Sequence, residues 1–120
     1  MEEPVELAKV LASLGQDSKV VLIDCLTIFA ANMLERFGEN TTANHTEVES
    51  LCRALKGASC SVILVSNEVG SGVVPASPDG RSYRDLLGEI NQRVASIADN
   101  VVLMVAGLPL ALKGTAEVRA

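Results

Sequence analysis

Apolar positions along this chain switch between helical and extended spacing, and the switches mark its elements. Val5, Leu7, Ala8, Leu11 and Leu14 predict a helix over Pro4–Leu14, stopped by Gly15. Pro4 suits a first helical turn, and the carboxylates of Glu2 and Glu3 suit the positive end of a helix. After a polar turn, Val20-Val21-Leu22-Ile23-Asp24 is an apolar run closed by an acid. So short a β-branched and aliphatic run predicts a buried parallel strand. Leu26, Phe29, Ala30, Met33, Leu34 and Phe37 stripe a second helix over 26–37, with Gly38 as its C-terminal cap signal. The segment 39–44 is polar and turn-like. Val48, Leu51, Cys52 and Leu55 predict a third helix over 45–55, ended by Gly57. Cys60–Ser66 reads as a second buried strand, followed by a Gly-, Ser- and Pro-rich loop over 67–80. Tyr83, Leu86, Leu87, Ile90, Val94 and Ile97 stripe a long helix over 82–98. Val101–Ala106 is a third apolar strand. Gly107 and Pro109 break it, and Leu108–Leu112 continues as a short return strand.

Strands alternating with helices predict a single α/β domain over 1–120, a mainly parallel sheet flanked by helices. Three clear strands are few for such a sheet, because an apolar edge is left open. The pattern therefore predicts that a strand is absent from the chain or is contributed by a partner.

Composition narrows the function classes. Apolar residues make up 48% of the 120 and aromatics only 2%, so the core must be aliphatic. Single-stranded nucleic-acid platforms need stacking aromatics and are disfavoured. A net charge of −5 with no basic patch argues against nucleic acid and acidic membranes as partners. Cys25, Cys52 and Cys60 form no C-x-x-C pair and read as reduced thiols of a cytoplasmic protein. The acidic N-terminus has no apolar signal region, and no run reaches membrane-spanning length. The Asn-x-Thr triplets at Asn40 and Asn44 therefore read as polar loop.

Three places could carry chemistry. Asp24 ends a strand, where open α/β sheets bind ligands. It reads either as an acid holding magnesium beside a nucleotide, or as a helix N-cap or solvated strand end. The loop that follows the second strand carries Asn67 and Glu68 as ligating groups, and Gly70 and Gly72 permit close approach. It is not a G-x-x-x-x-G-K-[ST] loop. Arg84 and Asp85 fall in the first turn of the predicted last helix, just after Arg81, and Arg81 or Arg84 could hold phosphate or face water. Asn91 and Gln92 interrupt an aliphatic helix, and could cap strand-end groups or face solvent. Gly88 within that helix calls for close packing or ligand approach, since it costs about 1 kcal/mol against alanine. His45, the single histidine, lies at a loop-to-helix junction near Glu47 and Glu49, and reads as an exposed capping residue.

The segments EEPVELA, VVLIDCLTIFAANML, VILVSNEVGSGVVP and YRDLLGEINQRVASIADNVVLMVAGLPLALK resemble, in order and spacing, the adenosylcobinamide kinase / adenosylcobinamide-phosphate guanylyltransferase family of cobalamin biosynthesis. The resemblance covers nearly the whole chain. It implies a P-loop, RecA-like α/β transferase that uses GTP or ATP with Mg2+ and acts on adenosylcobinamide as a trimer. It implies nucleotide contacts at Glu2 (or its neighbour Glu3) and at Asp24. The family's loop pattern matches Asn67, Glu68, Gly70 and Gly72, and Arg84, Asn91 and Gln92 become candidate phosphate or substrate contacts.

One departure is large. Family members begin with a strand, a Gly-rich phosphate loop and a helix bearing a guanylylated histidine, and this sequence matches none of the three. His45 stands elsewhere and does not inherit that role, so the catalytic group is unidentified. The chain therefore resembles the C-terminal two-thirds of such an enzyme, with little or no activity expected alone. Its alternatives are a split-enzyme subunit that binds a P-loop chain, or a non-catalytic nucleotide binder.

Overall fold

A computed structural model describes residues 6–14, 20–68 and 77–115, and within them the helical stripes pack on one another. In chain order the elements are α1 (Leu7–Ser13), β1 (Val20–Asp24), α2 (Leu26–Phe37), α3 (Thr41–Lys56), β2 (Ser61–Val65), α4 (Pro78–Ile97), β3 (Val101–Val105) and β4 (Leu108–Lys113). The core is built from Leu26, Phe29, Ala30 and Met33 of α2, Val48, Leu51 and Cys52 of α3, and Leu86, Leu87, Ile90 and Val94 of α4. Leu11 of α1 and Ile23 of β1 complete it. The aliphatic character follows from the scarcity of aromatics. Cys25, Cys52 and Cys60 carry free thiols.

Helix α2 has the predicted bounds, and Gly38 caps it at φ 57°, a conformation that a side chain disfavours. Two other helices begin earlier than the apolar pattern suggests. The polar stretch 41–44 is not a loop but the first turn of α3. Asn40 is its N-cap, and its Oδ1 accepts the Ala43 N–H at 3.1 Å. Asn44 is buried, and its Nδ2 donates to the Gly38 carbonyl at 3.2 Å. Asn40→Ala is expected to lower stability by about 1 kcal/mol, or about 4 °C in thermal midpoint followed by circular dichroism. Helix α4 starts at Pro78, with Ser77 Oγ accepting the Gly80 N–H at 3.0 Å. Proline is tolerated there because a first-turn N–H has no partner within the helix. Arg84 and Asp85 consequently lie in the second turn of α4, not the first.

Strands β1 and β2 pair in parallel, with Val21 opposite Val62, Ile23 opposite Leu64 and Asp24 opposite Val65. The row Val21, Ile23, Val62 and Leu64 faces the helical core. The other row does not: Val20 is 42% and Leu22 62% exposed. The expectation of buried strands thus holds for one face only, because the described helices cover one face.

The third apolar strand does not join the parallel pair. Strand β3 pairs with β4 in an antiparallel hairpin, so among the described residues the sheet structure is one parallel pair and one hairpin rather than a mainly parallel sheet. Ala106 and Gly107 connect them with φ of 52° and 75°. A two-residue connection can join only antiparallel neighbours, and positive φ at both positions matches the strand twist. Lys113 Nζ donates to the carbonyls of Ala95 and Ser96, both at 3.0 Å, and so ties β4 to the negative end of α4. No helix among the described residues is long and apolar enough to cross a membrane.

Candidate functional site

Because β1 and β2 are parallel and in register, they end level. Asp24 stands opposite Val65, and adjacent strands are about 4.8 Å apart. The carboxylate of Asp24 and the segment 66–68 therefore emerge side by side at the carboxyl edge of the pair, where open α/β sheets bind ligands. Asp24 is exposed, in the same outer row as Leu22. It is not the cap of α2, because that position belongs to Cys25, which makes no side-chain cap hydrogen bond. The Asp24–Cys25 peptide bond is cis. Among the described residues Asp24 enters no ion pair. Of the alternatives for this acid, the N-cap is therefore set aside, and an open strand-end carboxylate is left.

The segment after β2 is held by α4. Ser66 Oγ donates to Asn91 Oδ1 at 2.6 Å, and Asn91 Nδ2 donates to the Asn67 carbonyl at 2.9 Å. Of the three sequence expectations for Asn91 (strand-end cap, solvent-facing residue, phosphate or substrate contact), capping of strand-end groups is the one the structure shows. Asn67 and Glu68 are exposed beside Asp24's strand end. Gly70, Gly72 and Glu2 lie outside the described residues. A second link runs from α4 to the start of α2, with Tyr83 Oη 3.5 Å from the Thr27 carbonyl.

Arg84 precedes Asn91 by seven residues, which places it on the same side of α4 about 10 Å away. Its guanidinium lies against Asp85, with Nη2 at 3.2 Å and Nε at 3.4 Å from Oδ1. Arg84, Asp85, Gly88, Glu89 and Gln92 line an open depression on the helix. A Cβ built on Gly88 would meet nothing within 4 Å. Close packing therefore does not account for this glycine, and the space above it is free for approach.

His45 is not at a helix junction. It lies in the second turn of α3, with Nδ1 3.2 Å from Glu89 Oε1 of α4. Glu89 also lies 4.0 Å from Arg93 Nη1. The His45–Glu89 pair is exposed and contributes little to stability. Glu89 is two residues before Asn91, about 200° around the helix, so His45 faces away from the strand-end segment. Among the described residues no group of three or more His, Cys, Asp or Glu side chains gathers as a metal cluster. The hydroxyl of Ser66 and the Tyr83 link went unrecognised in the sequence, where Ser66 was the last residue of a predicted strand and Tyr83 a member of an apolar stripe.

Comparison with known proteins places these features in a family context. Residues 1–112 match the family described as cobinamide kinase / cobinamide phosphate guanyltransferase. The chain is 39% identical over 114 residues to the bifunctional adenosylcobalamin biosynthesis protein CobP of Pseudomonas aeruginosa, covering 95% of this chain and 65% of that protein. It is 35% identical over 107 residues to CobU of Escherichia coli, covering 80% and 59%. It is 35% identical over 115 residues to CobU of Salmonella typhimurium, covering 87% and 63%. The chain thus spans less than two thirds of the length of each of these relatives.

Proposed function

The chain belongs to the cobinamide kinase / cobinamide phosphate guanyltransferase family, and on that premise we propose that its strand ends form part of the nucleotide site of a bifunctional transferase of cobalamin biosynthesis. The substrates are GTP or ATP and adenosylcobinamide: the corrinoid hydroxyl takes the terminal phosphoryl group and releases the nucleoside diphosphate, and the new phosphate then takes GMP from GTP and releases pyrophosphate. The observation that carries the proposal is the exposed Asp24 carboxylate, level with the segment 66–68 at the carboxyl edge of a parallel pair. Its family counterparts carry names that include bifunctional adenosylcobalamin biosynthesis.

In this scheme Asp24 and Glu2 contact nucleotide, and Asn67, Glu68, Gly70 and Gly72 belong to the active-site loop by their match to the family's pattern. Arg84 and Gln92, beside the open depression on α4, are contacts for phosphate or substrate. A lone strand-end carboxylate suits Mg2+, which is commonly held by one or two carboxylates together with substrate phosphates and water. Bound there, Mg2+ would neutralise charge on the phosphates. The α/β order with a parallel pair is compatible with a RecA-like P-loop domain. The protein is proposed to work in the cytoplasm as a homo-oligomer, a trimer by family resemblance.

A second proposal, a subunit that binds a separate P-loop chain, is favoured by the exposed apolar row of Val20, Leu22 and Val65. No G-x-x-x-x-G-K-[ST] motif occurs in the 120 residues, and backbone cradles of that kind provide much of the phosphate affinity in such proteins. The purified chain is therefore expected to bind GTP with Mg2+ weakly and to turn over adenosylcobinamide slowly or not at all. Calorimetric titration with GTP and chromatography of the corrinoid products measure the two. Absence of GTP binding at millimolar concentration would overturn the nucleotide site. Turnover near the rate of the Pseudomonas aeruginosa protein would overturn the expected low activity.

A further inference from the structure

Asn91 differs from the other polar residues of α4 in how its side chain is used. A carboxamide has one acceptor oxygen and two N–H donors. Here the oxygen takes the Ser66 hydroxyl at 2.6 Å, and one N–H goes to the Asn67 carbonyl at 2.9 Å. The residue follows the fully buried Ile90 and precedes the buried Val94 on the helix. One end of the bridge is thus anchored in the core. The other holds a hydroxyl and a carbonyl of two consecutive residues, immediately before Glu68.

We propose that Asn91 is a positioning residue: it clamps the Ser66–Asn67 backbone to α4, and so sets where Asn67 and Glu68 enter the site beside Asp24. It does not itself contact phosphate or substrate. The proposal rests on the nucleotide site described above and assigns Asn91 a different role within it. The clamp has a direction. The Asn67 carbonyl can only accept, so the group facing it must carry an N–H or O–H. Asn91→Asp is nearly isosteric and keeps an acceptor for Ser66, but it sets a carboxylate against that carbonyl. Asn91→Ala removes both bonds, and Ser66→Ala removes one.

The test is amide hydrogen–deuterium exchange on the whole chain without ligand, comparing wild type with Asn91→Ala, Asn91→Asp and Ser66→Ala. Exchange in the segment after β2 is expected to rise about tenfold in both Asn91 variants and about threefold in Ser66→Ala. Exchange in β1, α2 and α3 should stay at the wild-type rate. GTP affinity, titrated with Mg2+, should weaken in the same order. Should Asn91→Ala fail to fold, the other two variants preserve the ranking. Unchanged loop exchange in Asn91→Asp and Ser66→Ala would overturn the clamp. So would loosening spread equally over the whole core, which would mark a purely structural role. Loss of GTP binding in Asn91→Ala with wild-type loop exchange would make Asn91 a direct contact and overturn the proposal. A wild-type chain that takes up no GTP overturns the nucleotide site instead, and the exchange ranking then decides the clamp alone.

Discussion

Truncation of Leu87 to alanine is expected to destabilise the fold by about 3 kcal/mol, within the usual range of about 2–5 for a buried leucine. Leu87 is fully buried, on the face of α4 that meets the core residues of α2 and α3. The loss combines the transfer free energy of the removed methyl groups with a cavity that neighbouring side chains fill only in part. A domain of this size is stable by roughly 5–15 kcal/mol, so the single change removes a large share. Urea denaturation should show a lower midpoint with an unchanged slope. Leu112→Ala, at a 62% exposed position, is the control and should change stability by about 0.5 kcal/mol or less. Equal losses in the two variants would mean that the core is not where the structure puts it.

Asp24→Asn should leave the fold intact and weaken Mg2+-dependent GTP binding roughly 30-fold, the scale of a lost charge-assisted contact. The substitution keeps size and shape and removes the negative charge. The carboxylate is exposed and enters no ion pair among the described residues, so the folded chain has little to lose. Titrations with Mg2+ and with chelator separate the two contributions: wild type and variant should converge when the metal is withdrawn. Equal affinities in the presence of Mg2+ would remove Asp24 from the site.

The sequence was most informative where a periodic apolar face ends at a residue with its own backbone preference. Helix α2 shows this, with its stripe from Leu26 to Phe37 and Gly38 behind it. It was least informative where a helix begins in polar residues. The first turn of α3 buries no apolar side chain, so Thr41 to Asn44 resembled a loop although Asn40 was available as a cap. Pro78 following Ser77 was a legible start signal for α4, hidden by its place in a Gly-, Ser- and Pro-rich stretch. Strand partners were legible only where the connection is short: the return strand over 108–112 is β4, antiparallel to β3, whereas period-two spacing did not show that β3 stays out of the parallel pair. The strand-end position of Asp24 could be read locally. Strand-end capping by Asn91 was legible only as one option, without its partners 24 and 25 residues away, and the His45–Glu89 pair, 44 residues apart, was not legible.

The hairpin of β3 and β4 has a consequence for handling the protein. From Val101 to Leu112 it carries no charged residue, and Met104, Val105, Leu108, Leu110 and Leu112 are all more than half exposed. The net charge of −5 is therefore borne by the rest of the molecule. Colliding copies are kept apart by long-range repulsion, while their stickiest surface is uncharged. Added salt shortens that repulsion to about 8 Å at physiological strength and leaves the apolar attraction in place. Pro109 lacks the N–H that a strand adding along β4 would need, and so blunts that edge against fibre growth. Ionic strength is thus the first control on solubility, and precipitates should form through side-chain contact rather than through an extended sheet along β4.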